Sequence, residues 1–580
     1  MTNRKKEMIQ AASGEKPADL VLKNGKVINV MNLQMEQADV AIVDGKIAGV
    51  GRYFGREEID VTGKYIAPGF IDGHVHIESS MMTPHHFANE LVKHGVTAAV
   101  TDPHEIANVS GADGIRFMLE DSANAPIDIF AMLPSCVPAT PFEHAGARLT
   151  ADDLRPFYDH PRVFGLAEVM DYPSVLKQED DMLEKLVDAE KQRGRIDGHG
   201  AGFDETALNV YRAAGILTDH ECTTAEEAAE RIRKGFYVMM REGSAAKDLL
   251  QLLPAVTTAN ARRFLYCTDD KHIDEIEADG SIDAHIRMSI RHGMDPLQAI
   301  QLATLNAAEC FKLHSRGAVA PGYEADLVVL DDLENVTVRH VLKDGHPVVK
   351  DQFLLKPAEP ASVMPESVQN TVNITEIGAE QLRVKNENAA EALTIAFTPH
   401  SLLTEKTSLK LPVQSGAFTA DVTQDTWKMA VIERHHGTGH IGTGFIQGLG
   451  LKEGAIAGTV AHDSHNLVVA GSNDTDMLRA IETIREMQGG LAAVKDGKVL
   501  ASVQLEVAGL MTNRGQQQVT EDLHRLDEAL EKLGAAGDFH PLSALSFMCL
   551  PVIPSLKLTD LGYFDAAKGK HVTITGAETE

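Results

Sequence analysis

Apolar and polar positions follow three successive rhythms along the chain. Near the start, ADLVLKNGKVINV and ADVAIVDGKIAGV alternate apolar and polar residues around an Asn-Gly and an Asp-Gly pair, which predicts two β-hairpins. Closely similar text returns in ADLVVLDDLENVTVRHVLKDGHPVV, Ala325 to Val349. Residues 1–67 and 316–355 are therefore expected to form one small β-sandwich domain, with the intervening chain inserted. Over 68–315 the rhythm becomes continuous apolar runs that each break into polar residues at their C-terminal ends. Eight are present: IAPGFIDGHVH, VTAAVTDPHE, IDIFAMLPS, VFGLAEVMD, GRIDGHG, GILTDHE, GFYVMMREGS and RRFLYCTDD. Helical patterns such as TPHHFANELVKHG and ADGIRFMLEDSANA separate them. Such alternation means a parallel sheet buried on both faces. Eight units in succession predict an α/β fold, a (β/α)8 TIM-like barrel with its chemistry at the strands' C-terminal ends. The alternative is an open doubly wound sheet. From Lys356 a proline-rich stretch, LKPAEPASVMPESV, reads as a linker, and mixed strand and helix patterns follow. Residues 356–580 are expected to be an α+β domain.

The polar ends of the strands carry the candidate chemistry. His74 and His76 close the first run, and residues two apart point to the same side of a strand. A lone H-x-H is weak in a chain with 25 histidines, and the weight lies in the set. Glu168 ends the fourth run, His199 the fifth, His220 the sixth and Asp269 the eighth. Four imidazoles and two carboxylates on one rim exceed what a single tetrahedral ion needs. They suit two divalent ions sharing a carboxylate, with Mn(II) first and Fe(II) or Zn(II) as alternatives. Such ions lower the pKa of water from 15.7 towards about 7, and a neighbouring carboxylate then accepts its proton.

Composition narrows the partners. A net charge of −30 lacks the basic footprint of a nucleic-acid binder. No apolar run approaches the ~20 residues of a membrane span, and no apolar segment follows the basic start as in a signal peptide. The five cysteines are scattered without a C-x-x-C pair, which suits reduced thiols in a cytoplasmic protein. A homodimer is expected of a chain with this barrel and an appended domain.

PGFIDGHVHIESS, the eight strands and PGYEADLVVLDD together resemble the metal-dependent amidohydrolase superfamily, over roughly residues 20–350. Longer strings narrow the likeness: GHVHIESSMMTP, VTDPHEIANVSG, MLPSCVPATPFEH, LAEVMDYPSV, DGHGAG, TDHECTTAEEA, REGSAAKDL, CTDDKH and, further on, VAHDSHNLVVAG. These resemble the bacterial adenine deaminase family. The resemblance implies hydrolysis of adenine to hypoxanthine and ammonia at a dinuclear centre. It casts His74 and His76 as ligands of one metal, His199 and His220 of the second, Glu168 as the bridge, and Asp269 as ligand and general base. His220 and Glu105 are the next candidates to take the proton. Adenosine-type deaminases carry an acid three residues after the strand-five histidine, whereas here Gly200, Ala201 and Gly202 follow His199. Hydantoinase- and dihydroorotase-type enzymes commonly bridge their metals with a strand-four lysine, where this chain has Glu168. A cyclic amidase of that kind is the alternative enzyme, and a scaffold that lost its activity the alternative of another class.

Further candidates lie on the same rim. Asp102, His104 and Glu105 follow strand two, Arg241, Glu242 and Ser244 follow strand seven, and Asp270 follows Asp269. They are expected to contact substrate or else to brace loops. Glu78, Ser79 and Ser80 in HIESS have the same two readings. Two later histidine groups, ERHHGTGHIGTG (His435, His436, His440) and AHDSHN (His462, His465), lack a recognised ligand spacing. They are expected to be structural, with another metal site, or a cover over the barrel mouth that lends it a polar side chain, as the alternatives.

Overall fold

A computed structural model of the chain describes residues 2–192, 194–244, 246–386, 389–398, 403–535 and 539–578. All eight apolar runs of the middle segment form strands: β1 Phe70–Val75, β2 Val96–Thr101, β3 Asp128–Leu133, β4 Val163–Val169, β5 Ile196–Gly198, β6 Thr218–Asp219, β7 Tyr237–Arg241 and β8 Phe264–Cys267. They pair in parallel in the order β5-β4-β3-β2-β1 and β6-β7-β8. Backbone bonds close both seams. Leu217 N–H reaches Ile196 O at 3.0 Å, and Asp269 N–H reaches His74 O at 3.0 Å. Gly73 belongs to the second seam, because a Cβ there would stand 2.7 Å from Leu265 Cδ1 and 2.9 Å from Tyr266 O. Nearly every strand residue is buried, as expected where helices cover one face and packed side chains fill the other.

Entry to and exit from the barrel are tied into one nine-stranded sheet. Tyr65–Pro68, immediately before β1, lies parallel to Ala18–Asn29 on one side and antiparallel to Leu327–Leu330, from beyond the barrel, on the other. One predicted hairpin is absent from this sheet. Ala18–Asn29 runs as a single strand, with a register shift between Leu22 and Gly25 where a turn was expected. Asn24 takes the left-handed region (φ 60°), and its N–H is accepted by Asp39 Oδ1 at 2.9 Å. The neighbouring strand thus captures the polar pair as a bulge. At Asp44-Gly45 both residues have positive φ, and the expected hairpin forms, pairing Val43 with Lys46.

Beyond residue 356 an eight-stranded sheet carries the hairpin Gly490–Lys495/Lys498–Gln504, and the helices Asp474–Met487 and Gln516–Leu533 pack on it. A three-stranded sheet, Leu556–Thr559, Gly562–Asp565 and Lys570–Val572, completes the mixed α and β content. This part grips the loop after β3. Asn466 donates to His144 O at 2.8 Å, His436 Nε2 to Ala145 O at 3.0 Å, and Thr559 to Phe142 O at 3.1 Å. Among the described residues no helix is long and apolar enough to cross a membrane. All five cysteines are buried free thiols.

Candidate functional site

All six rim residues converge at the C-terminal ends of their strands. The two oxygens of Glu168 face different histidine pairs. Oε1 lies 3.3 Å from His76 Nε2 and 3.8 Å from His74 Nε2, while Oε2 lies 2.6 Å from His199 Nδ1 and 3.3 Å from His220 Nε2. Asp269 Oδ1 stands 3.2 Å from His76 Nε2, and its Oδ2 accepts from Arg241 Nη1 at 2.9 Å. Asp269 takes φ 58°, which lets its backbone close the barrel against His74 while its side chain turns into the rim.

The tautomers of the first pair show what this arrangement suits. His74 Nδ1 donates to Asp197 Oδ2 at 2.8 Å, and His76 Nδ1 donates to the Asp102 carbonyl at 3.1 Å. The two Nε2 atoms stand 3.1 Å apart and face the Glu168 and Asp269 carboxylates. Burial opposes charge on His76, but its bonds to Asp269 and Glu168 hold it well above the ordinary imidazole range. Burial opposes charge on His220 and His199, but the Glu168 carboxylate beside His220, and Glu221 and Glu168 beside His199, hold them up at about 10 and about 9. Burial would also raise Glu168, and its bonds to His199, His220 and His76 hold it well below the usual carboxylate range. The carboxylates draw positive charge into a buried rim, and divalent cations supply that charge. The donor set fits metal.

Sequence reasoning missed the residues that brace this rim. Asp197 fixes His74, and it stands two positions before His199, the same-side spacing already used for His74 and His76. Asp72 ties β1 to the end of β8 by accepting from Thr268 N–H at 3.1 Å and Thr268 Oγ1 at 2.5 Å, and burial raises its carboxyl to about 6. Glu221, directly after His220, lies 3.4 Å from His220 Nε2 and 3.7 Å from His199 Nδ1. Arg231 is fully buried and donates to Asp219 at 2.9 Å and to Gly200 O at 2.7 Å, holding the loops that carry His199 and Glu221.

The further candidates divide. Asp102 and His104 join the rim: Asp102 Oδ2 lies 3.1 Å from His104 Nδ1, which lies 3.7 Å from Glu168 Oε1. Arg241 is taken up by Glu221, Asp248 and Asp269. Ser244 braces a loop, donating to Glu275 at 2.6 Å and accepting from His272 N–H at 3.0 Å. Glu242 is half-buried beside Lys247, raised to about 7 by burial. Glu78 accepts from Ile106 N–H, Ser80 caps its own turn at Ile77 O, and Ser79 donates to Asp270 at 2.5 Å. His435, His436 and His440 bond to Ser464 O, Ala145 O and Thr438. His462 instead reaches the barrel, with Nδ1 3.1 Å from Glu105 Oε1. A cleft of about 2480 Å³, lined by His199, Glu221 and Arg241 on the barrel side and Phe547 on the other, opens beside the rim.

The family model described as "Amidohydrolase family" matches residues 65–348, and that described as "Adenine deaminase C-terminal domain" matches residues 401–570. A protein of Geobacillus kaustophilus (strain HTA426) named adenine deaminase is 50% identical over 567 residues, covering 98% of each chain. One of Halalkalibacterium halodurans with the same name is 48% identical over 568 residues, covering 97% of each. Among solved structures, a β-aspartyl dipeptidase from Fervidobacterium islandicum AW-1 aligns with 58% of this chain and 98% of its own, at 16% identity and a TM-score of 0.47.

Proposed function

The chain belongs to the adenine deaminase family of amidohydrolases, and from that premise we propose how its rim turns adenine and water into hypoxanthine and ammonia. His74 and His76 would hold one divalent ion and His199 and His220 the other, with Glu168 shared between the pairs and Asp269 completing the set. The observation that carries this reading is the division of Glu168, whose two oxygens face two histidine pairs. Mn(II) is the proposed occupant, since imidazole and carboxylate oxygen also accept Fe(II) and Zn(II) but impose neither. When bound, the ions act as Lewis acids that make water a nucleophile near neutral pH.

The chain's own residues then move protons. Burial would raise Asp269, but its bond to His76 and the charge of Arg241 hold it well below the ordinary range, so it meets the attacking water as a base. As the C6–O bond forms, Asp269 takes the first proton and passes it to the amino nitrogen, and ammonia leaves when the C6–N bond breaks. Arg241, held by Glu221 and Asp248, keeps the second Asp269 oxygen in place through this transfer. Reduced thiols and the anionic surface fit a cytoplasmic enzyme acting on a neutral base.

Free adenine is expected to be preferred to adenosine. The purified, Mn(II)-loaded protein should release ammonia from adenine, and kcat/KM should be compared for the two substrates at one metal loading. Equal or better turnover of adenosine would exclude the assignment to the free base.

A further inference from the structure

The rim contains carboxylates and imidazoles for metal and for the water's proton, and the purine ring needs a proton of its own. His199 is followed by Gly200, Ala201 and Gly202, so strand five offers no acid. His462, from the C-terminal part of the chain, brings an imidazole to the barrel residue Glu105. Its Nδ1 faces Glu105 Oε1 at 3.1 Å, and its ring stacks on Phe547, with centroids 4.4 Å apart and planes 15° apart. Glu105 and His462 are both buried.

A carboxylate on Nδ1 fixes the proton there and leaves Nε2 to act, as an Asp or Glu does for a catalytic histidine. His462 Nε2 has no bonding partner among the described residues. The ring lines a chamber of about 40 Å³ between the barrel rim and the C-terminal domain, which Ser79 and Asp270 also line. The chamber shares Ser244, His272, His540 and Phe547 with the larger cleft. At roughly 10–15 Å³ of such space per water it has room for a few waters, and it admits only the edge of a base.

His465, beside the pair, excludes a reading of this cluster as a further cation site. Its Nδ1 accepts the Ala461 N–H at 3.3 Å and burial holds the ring well below the ordinary imidazole range, so the neutral ring carries its proton on Nε2. A protonated nitrogen is a donor and cannot bind metal.

We propose that His462, contributed by the C-terminal domain and oriented by Glu105, is a catalytic residue that protonates N1 of the purine as water attacks C6. This rests on adenine being the substrate. The N–H bond at His462 Nε2 breaks and an N1–H bond forms, which hypoxanthine retains. The second proton of the attacking water, released as C6–OH becomes C6=O, restores His462. Burial opposes its charge, but Glu105 carries it up to about 9, so the donor form is present at neutral pH. The groups facing it are Glu105 from the loop after β2, Asp270 from the loop after β8, Glu78, and Asp463 and His465 from its own segment.

Three variants test this on the metal-loaded full chain. His462→Phe keeps the stack on Phe547 and removes the proton, and should lower kcat by about 10²–10⁴-fold at unchanged metal content. His462→Gln keeps an N–H donor that does not ionise, and should restore KM but not kcat. Glu105→Gln should move the alkaline limb of the kcat profile to lower pH, a shift that a merely structural contact does not produce. The inference is overturned if either His462 variant turns over within a few-fold of wild type, if the limb stays in place, or if His462→Phe loses one metal per chain. If His462→Phe does not fold, His462→Gln and the pH profile decide. Wild-type protein inactive on adenine would instead refute the substrate reading itself.

Discussion

Asp269→Asn, with its metals still bound, should lower kcat by about 10²–10⁴-fold, the range for loss of general acid–base assistance. Asparagine is the informative replacement because position 269 has φ 58°, a backbone region that Asp and Asn tolerate better than most residues. The backbone bonds to His74 and His76 that close the barrel should therefore survive. An amide oxygen can still accept from Arg241, as Oδ2 does now at 2.9 Å, while the proton acceptor beside His76 is lost. Metal content must be measured on the same sample, since an emptied site gives the same slow rate. Two ions bound and turnover within a few-fold of wild type would leave Asp269 as a ligand only. The proton would then pass to His220 or Glu105.

Stripping the protein of metal should abolish adenine turnover, and returning Mn(II) should restore it only as a second equivalent binds. The prediction follows from the geometry of Glu168. One carboxylate oxygen faces the strand-one histidines and the other faces His199 and His220, so a single ion satisfies half of the buried donors. It also follows from the Nε2 atoms of His74 and His76, which stand 3.1 Å apart beside the Glu168 and Asp269 carboxylates. Full activity at one equivalent would remove the dinuclear assignment. Calorimetric titration should show the same two equivalents without reference to turnover.

The barrel was legible because its strands are buried on both faces, and a two-sided burial writes continuous apolar runs into the sequence. His74 and His76 were legible because a period of two is a property of the strand alone. The same rule applied to Asp197 and His199 would have exposed the carboxylate that sets His74's tautomer. Arg241 shows where local reading ends. Its place at the polar end of the seventh run suggested substrate contact, but three carboxylates from separate segments absorb its guanidinium, and only the closed barrel brings them together. The Asn-Gly pair at 24–25 misled for a related reason, since the partner that straightens it, Asp39, lies on the next strand. His462 carries no recognisable ligand spacing, and its meeting with Glu105 joins two parts of the chain with no local signal between them.

The strand Tyr65–Pro68 has a further consequence for how the protein is made. Ile66 pairs with Val27 on one edge, but its other partner, Val329, lies beyond the whole barrel. At about 5–20 residues per second, the ribosome delivers that partner roughly ten to fifty seconds later. For that interval a newly made apolar edge has no neighbour, a state that invites pairing with another chain. Nascent chains halted before residue 320 should be cut by protease near 65–68, and those extended past 354 should resist. Equal cleavage of both would mean that something other than Leu327–Leu330 shields the edge during synthesis.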